Sequence, residues 1–340
     1  MEKEVNIGAS AISIRDGSDW RSFHHREEKV EKGKYIEPMS NYTHTVTAEE
    51  AEENLTINQI LRRNFKFSSR FKTKIKFQKL ADLNGEQTPG FIRPEAGDII
   101  TVRLPEESSD FPAEDIPVRA LYEDADLLVI DKQPGITVHP TKGHPDHTLA
   151  NGIMKYMMDT NQSFKIRFAN RLDMDTSGIV IVAKNANSQN GISQQMRAQT
   201  TVKKYRAVVR GCIAEDTFTI HLPIGRNNPE EIRRKVIEGG KDAITDVQVL
   251  ERYGEAYTLV ELTLKTGRTH QIRVHLSHIG HPIVGDELYG GTDPHMTRQA
   301  LHSCYLKFTH PMTQEVLEIH SDYPEDIRNC IEDIKKEFGA

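Results

Sequence analysis

Apolar and polar residues alternate along this chain with two different periods, and each period predicts a type of element. Between Thr47 and Phe65 a threonine followed by acidic residues precedes apolar residues at helical spacing, which predicts a helix. A second amphipathic segment follows Phe67, the pair Asn84-Gly85 predicts a tight turn, and IITVRL predicts a short strand. Residues 46–104 are therefore expected to form a small first domain.

Continuous apolar runs and helical patterns interleave in the rest of the chain. LLVI, GIVIVAKN, KYRAVVRGCI and YTLVELTLKTG predict strands, whereas HTLANGIMKYMMD, NGISQQMRAQ and THQIRVHLSHIG predict helices. Several strands are joined by short links, so we expect an α/β (α+β) domain over residues 118–325, with flanking helices on a mixed, largely antiparallel sheet. The segment YPEDIRNCIEDIKKEF predicts a C-terminal amphipathic helix over residues 326–340.

Two segments lack such patterns. Residues 1–45 mix charged residues, serine and histidine without a period, which predicts a disordered or extended tail. Residues 105–117, PEESSDFPAEDIP, are acidic and proline-rich, which predicts a linker between the two domains.

Charge is distributed unevenly along the 340 residues. The 44 basic and 50 acidic side chains give a net charge of −6, but residues 1–57 and 309–340 each carry −5, so residues 58–308 carry +4. Between Asn58 and Leu80 there are eight basic side chains and no acidic one. Cations without a counter-charge favour phosphate contact over a merely solvated helix face.

Two short helices with one basic face, followed by a turn and a strand, resemble the αL-type RNA-binding domain of ribosomal proteins and RNA-modifying enzymes. This resemblance predicts that the small domain binds RNA. The side chains expected to do so are Arg62, Arg63, Arg70, Lys72, Lys74 and Lys76.

Several classes of protein are excluded by composition. No apolar run approaches the roughly 20 residues of a membrane span, and MEKEVNIGAS has no apolar signal-peptide core. The three cysteines, Cys212, Cys304 and Cys330, are too far apart for a CxxC motif and too few for a disulfide framework. We therefore expect a cytoplasmic protein without membrane association, and a monomer.

The segment RFANRLDMDTSGIVIVAKN holds the first candidate for chemistry. Asp173 stands before a Thr-Ser-Gly turn that leads into an apolar strand, and a rigid strand is a good base for a functional side chain. Arg171 lies two residues upstream and can hold the carboxylate ionised. Asp175 competes for the same role, and spacing alone does not choose between the two acids or exclude a purely structural salt-bridged loop.

The segment LKTGRTHQIRVHLSHIGHPIVGDELYGG holds the second candidate. Gly267-Arg268-Thr269 predicts a turn into a helix that Thr269 is expected to cap, with Arg273 one turn later on a face with His270. An arginine on a rigid helix is suited to clamp a carboxylate or a phosphate.

The same segment is rich in histidine, which raises a zinc hydrolase as an alternative. His275 and His278 are three residues apart and can share a helix face. However, there is no HExxH motif and no cysteine nearby, so we expect no metal.

Four ordered segments together strongly resemble the RluA/RluD-type pseudouridine synthases, the ribosomal large-subunit type, over roughly residues 118–320. They are DADLLVIDKQPGITVHPTKGHPDHTLAN, NRLDMDTSGIVIVAKN, KKYRAVVRG and LKTGRTHQIRVHLSHIGHPIVGDELYGG. This family converts uridine in RNA to its carbon-linked isomer without net redox change, so the resemblance implies RNA as partner and no cofactor. Large-subunit ribosomal RNA is the first substrate expected, and transfer RNA is the alternative.

The resemblance also implies roles for individual residues. Asp173 is the essential carboxylate, Arg273 is the arginine that pairs with it, and Tyr205 packs on the uracil and is a candidate base. Arg171 is expected to contact RNA or occupy the space of the flipped base, and Ile179 to lie against the site.

One position departs from the family, which commonly has histidine before Arg-Leu-Asp. Asn170 stands there instead and can hydrogen-bond but cannot carry charge, so any electrostatic contact of this residue with RNA is in doubt. A non-catalytic RNA-binding or ribosome-assembly protein is the alternative function, against which the joint presence of Asp173, Tyr205 and Arg273 argues.

Overall fold

The computed structural model describes residues 41–105, 107–141, 143–228 and 230–339, so most of the predicted tail lies outside the described residues. The described residues belong to one compact unit. Their elements follow in this order: β1 (Asn41–Thr45), α1 (Ala48–Glu52), α2 (Ile57–Asn64), α3 (Ser69–Phe77), β2 (Ala81–Leu83), β3 (Glu86–Gln87), β4 (Ile99–Arg103), β5 (Arg119–Glu123), β6 (Leu127–Lys132), α4 (Leu149–Asp159), β7 (Arg167–Phe168), β8 (Ser177–Ala183), α5 (Ala186–Arg197), β9 (Val202–Arg210), β10 (Thr217–His221), β11 (Ile224–Gly225), β12 (Lys235–Val236), β13 (Ile244–Tyr253), β14 (Tyr257–Leu264), α6 (Gln271–His278), β15 (Leu301–Thr309), β16 (Val316–His320) and α7 (Glu325–Phe338).

The N-terminal segment contains two helices where the sequence predicted one. Thr47 caps α1 and Thr56 caps α2, each in a capping box. Between them Asn54 has φ 54°, a left-handed conformation that ends α1. The prediction of a single helix from Thr47 was therefore wrong. The segment forms two helices, because a second threonine starts a new helix after the turn at Asn54.

A four-stranded antiparallel sheet in the order β1-β4-β2-β3 accompanies these helices. Asn84 and Gly85, with φ 51° and 87°, form the predicted turn between β2 and β3. Residues 41–45 were predicted as part of the tail, but they form β1 because β4 offers them a complete antiparallel register. Apolar side chains from α2, α3 and β4 fill the core between helices and sheet.

A ten-stranded sheet forms the larger part of the chain. Its strands follow the order β10-β13-β14-β9-β15-β8-β6-β5, with β16 beside β15 and β7 beside β8. Among the described strands, β8 and β15 form the one parallel pair, and the other neighbours are antiparallel. The predicted mixed, largely antiparallel sheet with flanking helices is confirmed.

The parallel pair of β8 and β15 joins only two residues of each strand, and the two backbones approach closely there. Gly178 on β8 has φ 110°, and a Cβ atom there would lie 2.2 Å from the carbonyl oxygen of Ser303 on β15. Only glycine allows the two backbones to approach so closely. This contact fixes the start of β8 beside the centre of the sheet, directly after the segment that contains Asp173.

The segment between Leu104 and Val118 has no helix or strand in its described residues, but it lies against the larger part of the chain. Glu107 pairs with Arg167, the hydroxyl of Ser109 accepts the Ile166 N–H, and the Asn151 amide donates to the carbonyl of Pro112. The predicted linker is thus an extended strap with its own side-chain contacts.

Candidate active site

The segment before Asp173 is fixed to β8 by the side chain of Asn170. Its Oδ1 accepts the N–H of Ile181 at 2.7 Å, and its Nδ2 donates to the carbonyl of Ile179 at 3.0 Å. The amide thereby extends the backbone ladder that β7 forms with β8. Because both polar ends of Asn170 are engaged, the predicted contact of this side chain with RNA receives no support.

The segment after Asp173 is held by a buried lysine. Lys132 is 1% exposed, and its Nζ donates to the carbonyls of Gln133, Ile136 and Met174 at 2.8, 3.0 and 2.8 Å. Burial lowers the pKa of Lys132 to about 7, against the opposing charge of Asp175. Three donors thus meet three carbonyls, one of them adjacent to the candidate carboxylate.

Asp173 forms the predicted pair with Arg273. Arg273 Nη1 donates to Asp173 Oδ2 at 3.1 Å, and the two side chains are 9% and 28% exposed. Arg273 also makes a bidentate contact with the fully buried Asp286, at 2.7 and 2.8 Å. Burial opposes the charge of Arg273, but the hydrogen bonds and charges of Asp286 and Asp173 outweigh it and raise the pKa of the guanidinium.

This arrangement leaves one carboxylate oxygen open. Both nitrogen atoms near Asp173, Nη1 of Arg273 and Nε2 of His270, face Oδ2. Among the described residues, no hydrogen-bond donor reaches Oδ1. An aimed, part-exposed carboxylate with one unengaged oxygen is suited to act on a substrate.

Tyr205 lies on β9 opposite Ser303 and is 8% exposed. Burial raises the pKa of Tyr205 to about 12, and the negative charge of Asp173 acts in the same direction. Tyr205 shares one apolar cluster with Leu172 and Ile272, the residues immediately before Asp173 and Arg273. The structure therefore pairs Asp173, before β8, with Arg273 on α6, and places Tyr205 on β9 in the apolar core that both segments contact.

Two details around Asp173 differ from the sequence predictions. Arg171 does not hold the carboxylate: its Nη2 donates to the hydroxyl of Thr269 at 3.3 Å. Thr269 does not cap α6 either, because the N-cap residue is His270, with φ 57° and without a side-chain capping bond. Arg171 is exposed, and its contact with RNA stays a prediction.

The prediction that Ile179 lies against the site receives no support from the side-chain packing of β8. Successive side chains of a strand point to opposite faces of the sheet. Ile179 is fully buried with Ile181 in one apolar cluster, whereas Val180 shares the other cluster with Tyr205. Ile179 supplies only its carbonyl, which Asn170 uses.

The zinc alternative receives no support from the contacts of His275. Its Nδ1 contacts the hydroxyl of Thr245 at 2.9 Å and its Nε2 contacts the carbonyl of Leu222 at 3.0 Å, so both nitrogen atoms are engaged. His278 is exposed, unlike the fully buried His275. Within the described residues, no group of three histidine, cysteine or acidic side chains is placed to hold a metal ion.

The six basic residues predicted to bind RNA lie on α2 and α3, and none of them contacts Asp173, Arg273 or Asp286 in the described part of the chain. Arg62, Lys72 and Lys76 line a groove of about 390 Å³ between the two helices, together with Asn58 and other side chains. Arg63 is offset by Glu53, whose oxygen lies 2.5 Å away. For Arg62, Arg70, Lys72, Lys74 and Lys76, no acidic partner lies within ion-pair distance in the described part of the chain.

Several residues at the site were missed by sequence reasoning. They are Lys132, Asp286, Tyr289 and Arg298. Asp286 and Tyr289 belong to the quoted GDELYGG string, and an acid thirteen residues after Arg273 was a signal that could have been tested. Arg298 donates to the carbonyl of Asp175 at 2.8 Å, and nothing in its local sequence indicates this contact.

Comparison with known proteins shows the family of this chain. Residues 126–278 match the family described as RNA pseudouridylate synthase. A Bacillus subtilis protein named "Uncharacterized RNA pseudouridine synthase YjbO" is 41% identical over 268 residues, which cover 78% of this chain and 94% of that protein. The chain belongs to the RNA pseudouridine synthase family. Its type is RluA/RluD, since the ribosomal large subunit pseudouridine synthase D of Pseudomonas aeruginosa is 39% identical over 65% of this chain and 73% of that protein.

A solved structure supports the same fold for the synthase. The human RNA pseudouridylate synthase domain containing 1 aligns with a TM-score of 0.53 and 32% identity, covering 63% of this chain and 87% of that one. As a member of this family, the synthase is an isomerase. Among its described helices, none combines the length and apolar character needed to cross a membrane.

Proposed function

We propose that this synthase isomerises uridines of large-subunit ribosomal RNA to pseudouridine, with Asp173 as the essential carboxylate. The observation that carries the proposal is the ion pair of Asp173 with Arg273, which Asp286 anchors from its other side. The pair aims a carboxylate whose Oδ1 has no donor among the described residues.

The reaction breaks the N1–C1′ bond, turns the uracil, joins C5 to C1′ and moves the C5 proton, so no electrons are gained or lost overall. An ionised carboxylate can attack the sugar or the ring, or stabilise positive charge that develops on the sugar. All three routes use an unengaged oxygen near the ribose. Arg273 stays charged throughout, because Asp286 and Asp173 raise its pKa.

Tyr205 serves this reaction as a protonated phenol. With a pKa of about 12, raised by burial, it is a poor base at neutral pH. Its ring can still stack on the uracil. Of the two roles that the family resemblance implies, stacking is the one that this environment favours.

The target uridine has to leave its stack to reach a carboxylate held between protein segments, which costs a few kcal/mol and favours loops and weak pairs. The cationic groove between α2 and α3 can supply part of that free energy through phosphate contacts. The Pseudomonas aeruginosa relative carries the large ribosomal subunit in its name, which favours that RNA over transfer RNA.

The test is release of tritium from RNA labelled at C5 of uracil. Purified protein is mixed with transcripts of large-subunit ribosomal RNA and, separately, with a pool of transfer RNA. We expect release from ribosomal RNA with wild type and none with Asp173→Asn. Release from transfer RNA alone would refute the substrate class, and binding without any release would favour the non-catalytic alternative.

Mapping of pseudouridines in cellular RNA, with and without this protein, then identifies the positions. Sites that disappear from large-subunit RNA when Asp173→Asn replaces the wild type would support the whole proposal. Sites that persist with this variant would refute the role of the carboxylate.

A further inference from the structure

His270 occupies an unusual place beside Asp173. It is the N-cap of α6 with φ 57° and ψ 20°, a left-handed conformation that costs a non-glycine residue about 1 kcal/mol or more. Its side chain is 12% exposed, and Nε2 lies 3.8 Å from Asp173 Oδ2. This backbone conformation turns the imidazole towards the carboxylate instead of towards the helix N-terminus.

Tyr289 holds the other side of the imidazole. Its hydroxyl lies 2.9 Å from His270 Nδ1, and the two rings are nearly perpendicular with centroids 5.7 Å apart. The Tyr289 ring is also flanked by the guanidinium groups of Arg273 at 5.1 Å and Arg233 at 5.3 Å. The imidazole therefore has one polar contact on each nitrogen, and both neighbours are themselves fixed.

The donors and acceptors assign the tautomer. The backbone N–H of Arg234 donates to the Tyr289 oxygen at 2.7 Å, so the hydroxyl hydrogen of Tyr289 is free to point at His270 Nδ1. With Nδ1 accepting, a neutral imidazole carries its hydrogen on Nε2, which faces Asp173. Burial lowers the pKa of His270 and, with the charge of Arg273, outweighs the opposing charge of Asp173, so the neutral form prevails at pH 7.

We propose that His270 is a positioning residue of the synthase: its Nε2–H and the Nη1–H of Arg273 together hold Oδ2 of Asp173 and leave Oδ1 for the substrate. We expect this 3.8 Å separation to shorten to a hydrogen bond in the substrate complex, as is common for catalytic contacts that are long in a free enzyme. This inference rests on the proposed role of Asp173.

A physical consequence follows for the segment before β12. Arg234 immediately precedes β12, and its N–H begins a chain of donors that continues through Tyr289 and His270 to Asp173. Arg233, next to it, is exposed and available for phosphate contact. RNA bound at this segment would thus act on the orientation of the carboxylate through two side chains.

The first test uses the protein alone, so its outcome does not depend on the RNA substrate. Histidine labelled with nitrogen-15 is read by NMR at pH 7, and the His270 signals are assigned by their loss in His270→Asn. We expect an unprotonated Nδ1 and a protonated Nε2, with the tautomer balance shifted in Tyr289→Phe. A proton on Nδ1, or a doubly protonated ring at pH 7, would overturn the proposal.

The second test compares single-turnover rates on the RNA that wild type modifies. His270→Asn tolerates the left-handed backbone but is too short to reach Asp173, and His270→Gly removes the side chain without backbone strain. We expect both to lower the rate by about 10- to 100-fold, with the Kd for RNA within roughly twofold. Added imidazole should restore part of the rate of His270→Gly, which a merely structural role would not explain.

Matched controls come from the same chain. His147 is another histidine with positive φ, 54°, and is exposed, so His147→Asn should keep the wild-type rate. Tyr305, whose hydroxyl contacts Glu318 on an exposed edge, is the control for Tyr289→Phe. Wild-type rates in both His270 variants would refute the proposal. An inactive wild type would refute the proposed function instead, and the NMR result would still decide the position of the hydrogen.

Discussion

At the scale of single residues, the site depends on how a few buried charges are compensated. Arg273 is shared between two carboxylates, but Asp286 takes two of its N–H groups and Asp173 takes one. Asp286 therefore fixes the guanidinium, and the guanidinium in turn aims Asp173. Lys132 fixes the backbone beside the same carboxylate through the carbonyl of Met174.

Asp173→Asn keeps the shape of the side chain and removes its charge and nucleophilicity. We expect single-turnover product formation to fall by about 10³-fold or more, while RNA affinity stays within roughly twofold. Asp175→Asn is the matched control, because Asp175 contacts Arg298 through its backbone carbonyl and should lose far less activity. Equal losses in both variants would contradict the assignment of Asp173.

Lys132→Met should change how stability depends on pH. Folding lowers the pKa of Lys132 from 10.5 to about 7, chiefly through burial, so between these values the unfolded chain binds more protons than the native one. Below about pH 7 the buried charge of Lys132 lowers the free energy of unfolding. That free energy rises again as pH increases towards 10.5, because the lysine is then neutral in the native state. Denaturant unfolding of wild type at pH 7 and 9 should show this rise, and Lys132→Met should lack it.

At pH 9 the neutral amine of Lys132 has two N–H groups for the three carbonyls around it, and Lys132→Met removes both, so its free energy of unfolding there should fall by about 1–3 kcal/mol. An identical pH slope in wild type and variant would show that Lys132 is not the group responsible. Lys336→Met, on the exposed face of α7, serves as the control.

At the scale of elements, local sequence signals decide where helices start, and tertiary contacts decide which of their side chains face the site. Thr47, Thr56 and Ser68 cap the first three helices as such residues usually do. α6 has no such cap, and the strain of His270 at its start places an imidazole beside Asp173. α7, which begins after Pro324, also lacks a side-chain cap, but α6 is the helix that carries Arg273.

The basic face of α2 and α3 yields a prediction about affinity. Changing Lys72, Lys74 and Lys76 to glutamate should weaken RNA binding and reduce the dependence of log Kd on log salt by about 2–3, if each lysine meets one phosphate. Binding is measured by filter retention at several salt concentrations.

The control has the same change of net charge elsewhere on the surface. Glutamate at Lys307, Lys335 and Lys336 removes cations that already have acidic partners, so binding should change little. If both triple variants behave alike, the small domain is not the RNA anchor.

At the scale of the whole molecule, a buried polar cluster joins the N-terminal segment to the large sheet. Asp126 Oδ1 accepts from the Tyr42 hydroxyl at 2.6 Å, the Asn185 amide at 2.7 Å and the Ser188 hydroxyl at 2.9 Å. Burial, together with the charge of Asp126, raises the pKa of Tyr42 well above its usual value, so the phenol remains a donor. Nearby, the backbone N–H of Ser68 donates to Asn187 Oδ1 at 2.9 Å.

Asp126→Ala removes one acceptor and leaves three buried donors without it. We expect the free energy of unfolding to fall by about 2–4 kcal/mol, and the N-terminal segment to unfold at lower denaturant than the rest. Tyr42→Phe should cost about 1 kcal/mol. Asp242→Ala, at an exposed pair with His221, is the control. A single unshifted transition in Asp126→Ala would show that this cluster does not couple the two parts.

The sequence by itself determined the composition of the sheet, the helices and most of the chemistry. Apolar runs and amphipathic periods depend only on neighbouring residues, so the strands and helices could be predicted from the sequence. The motifs that contain Asp173, Tyr205 and Arg273 could be identified in the same way. Spacing left Asp173 and Asp175 as alternatives and the family resemblance pointed to Asp173; tertiary structure added its ion pair with Arg273, which lies a hundred residues away along the chain. It also decided that Ile179 faces the other side of the sheet and that Asn170 serves the backbone. These features depend on contacts between residues far apart in the sequence, so they cannot be predicted from a local sequence pattern.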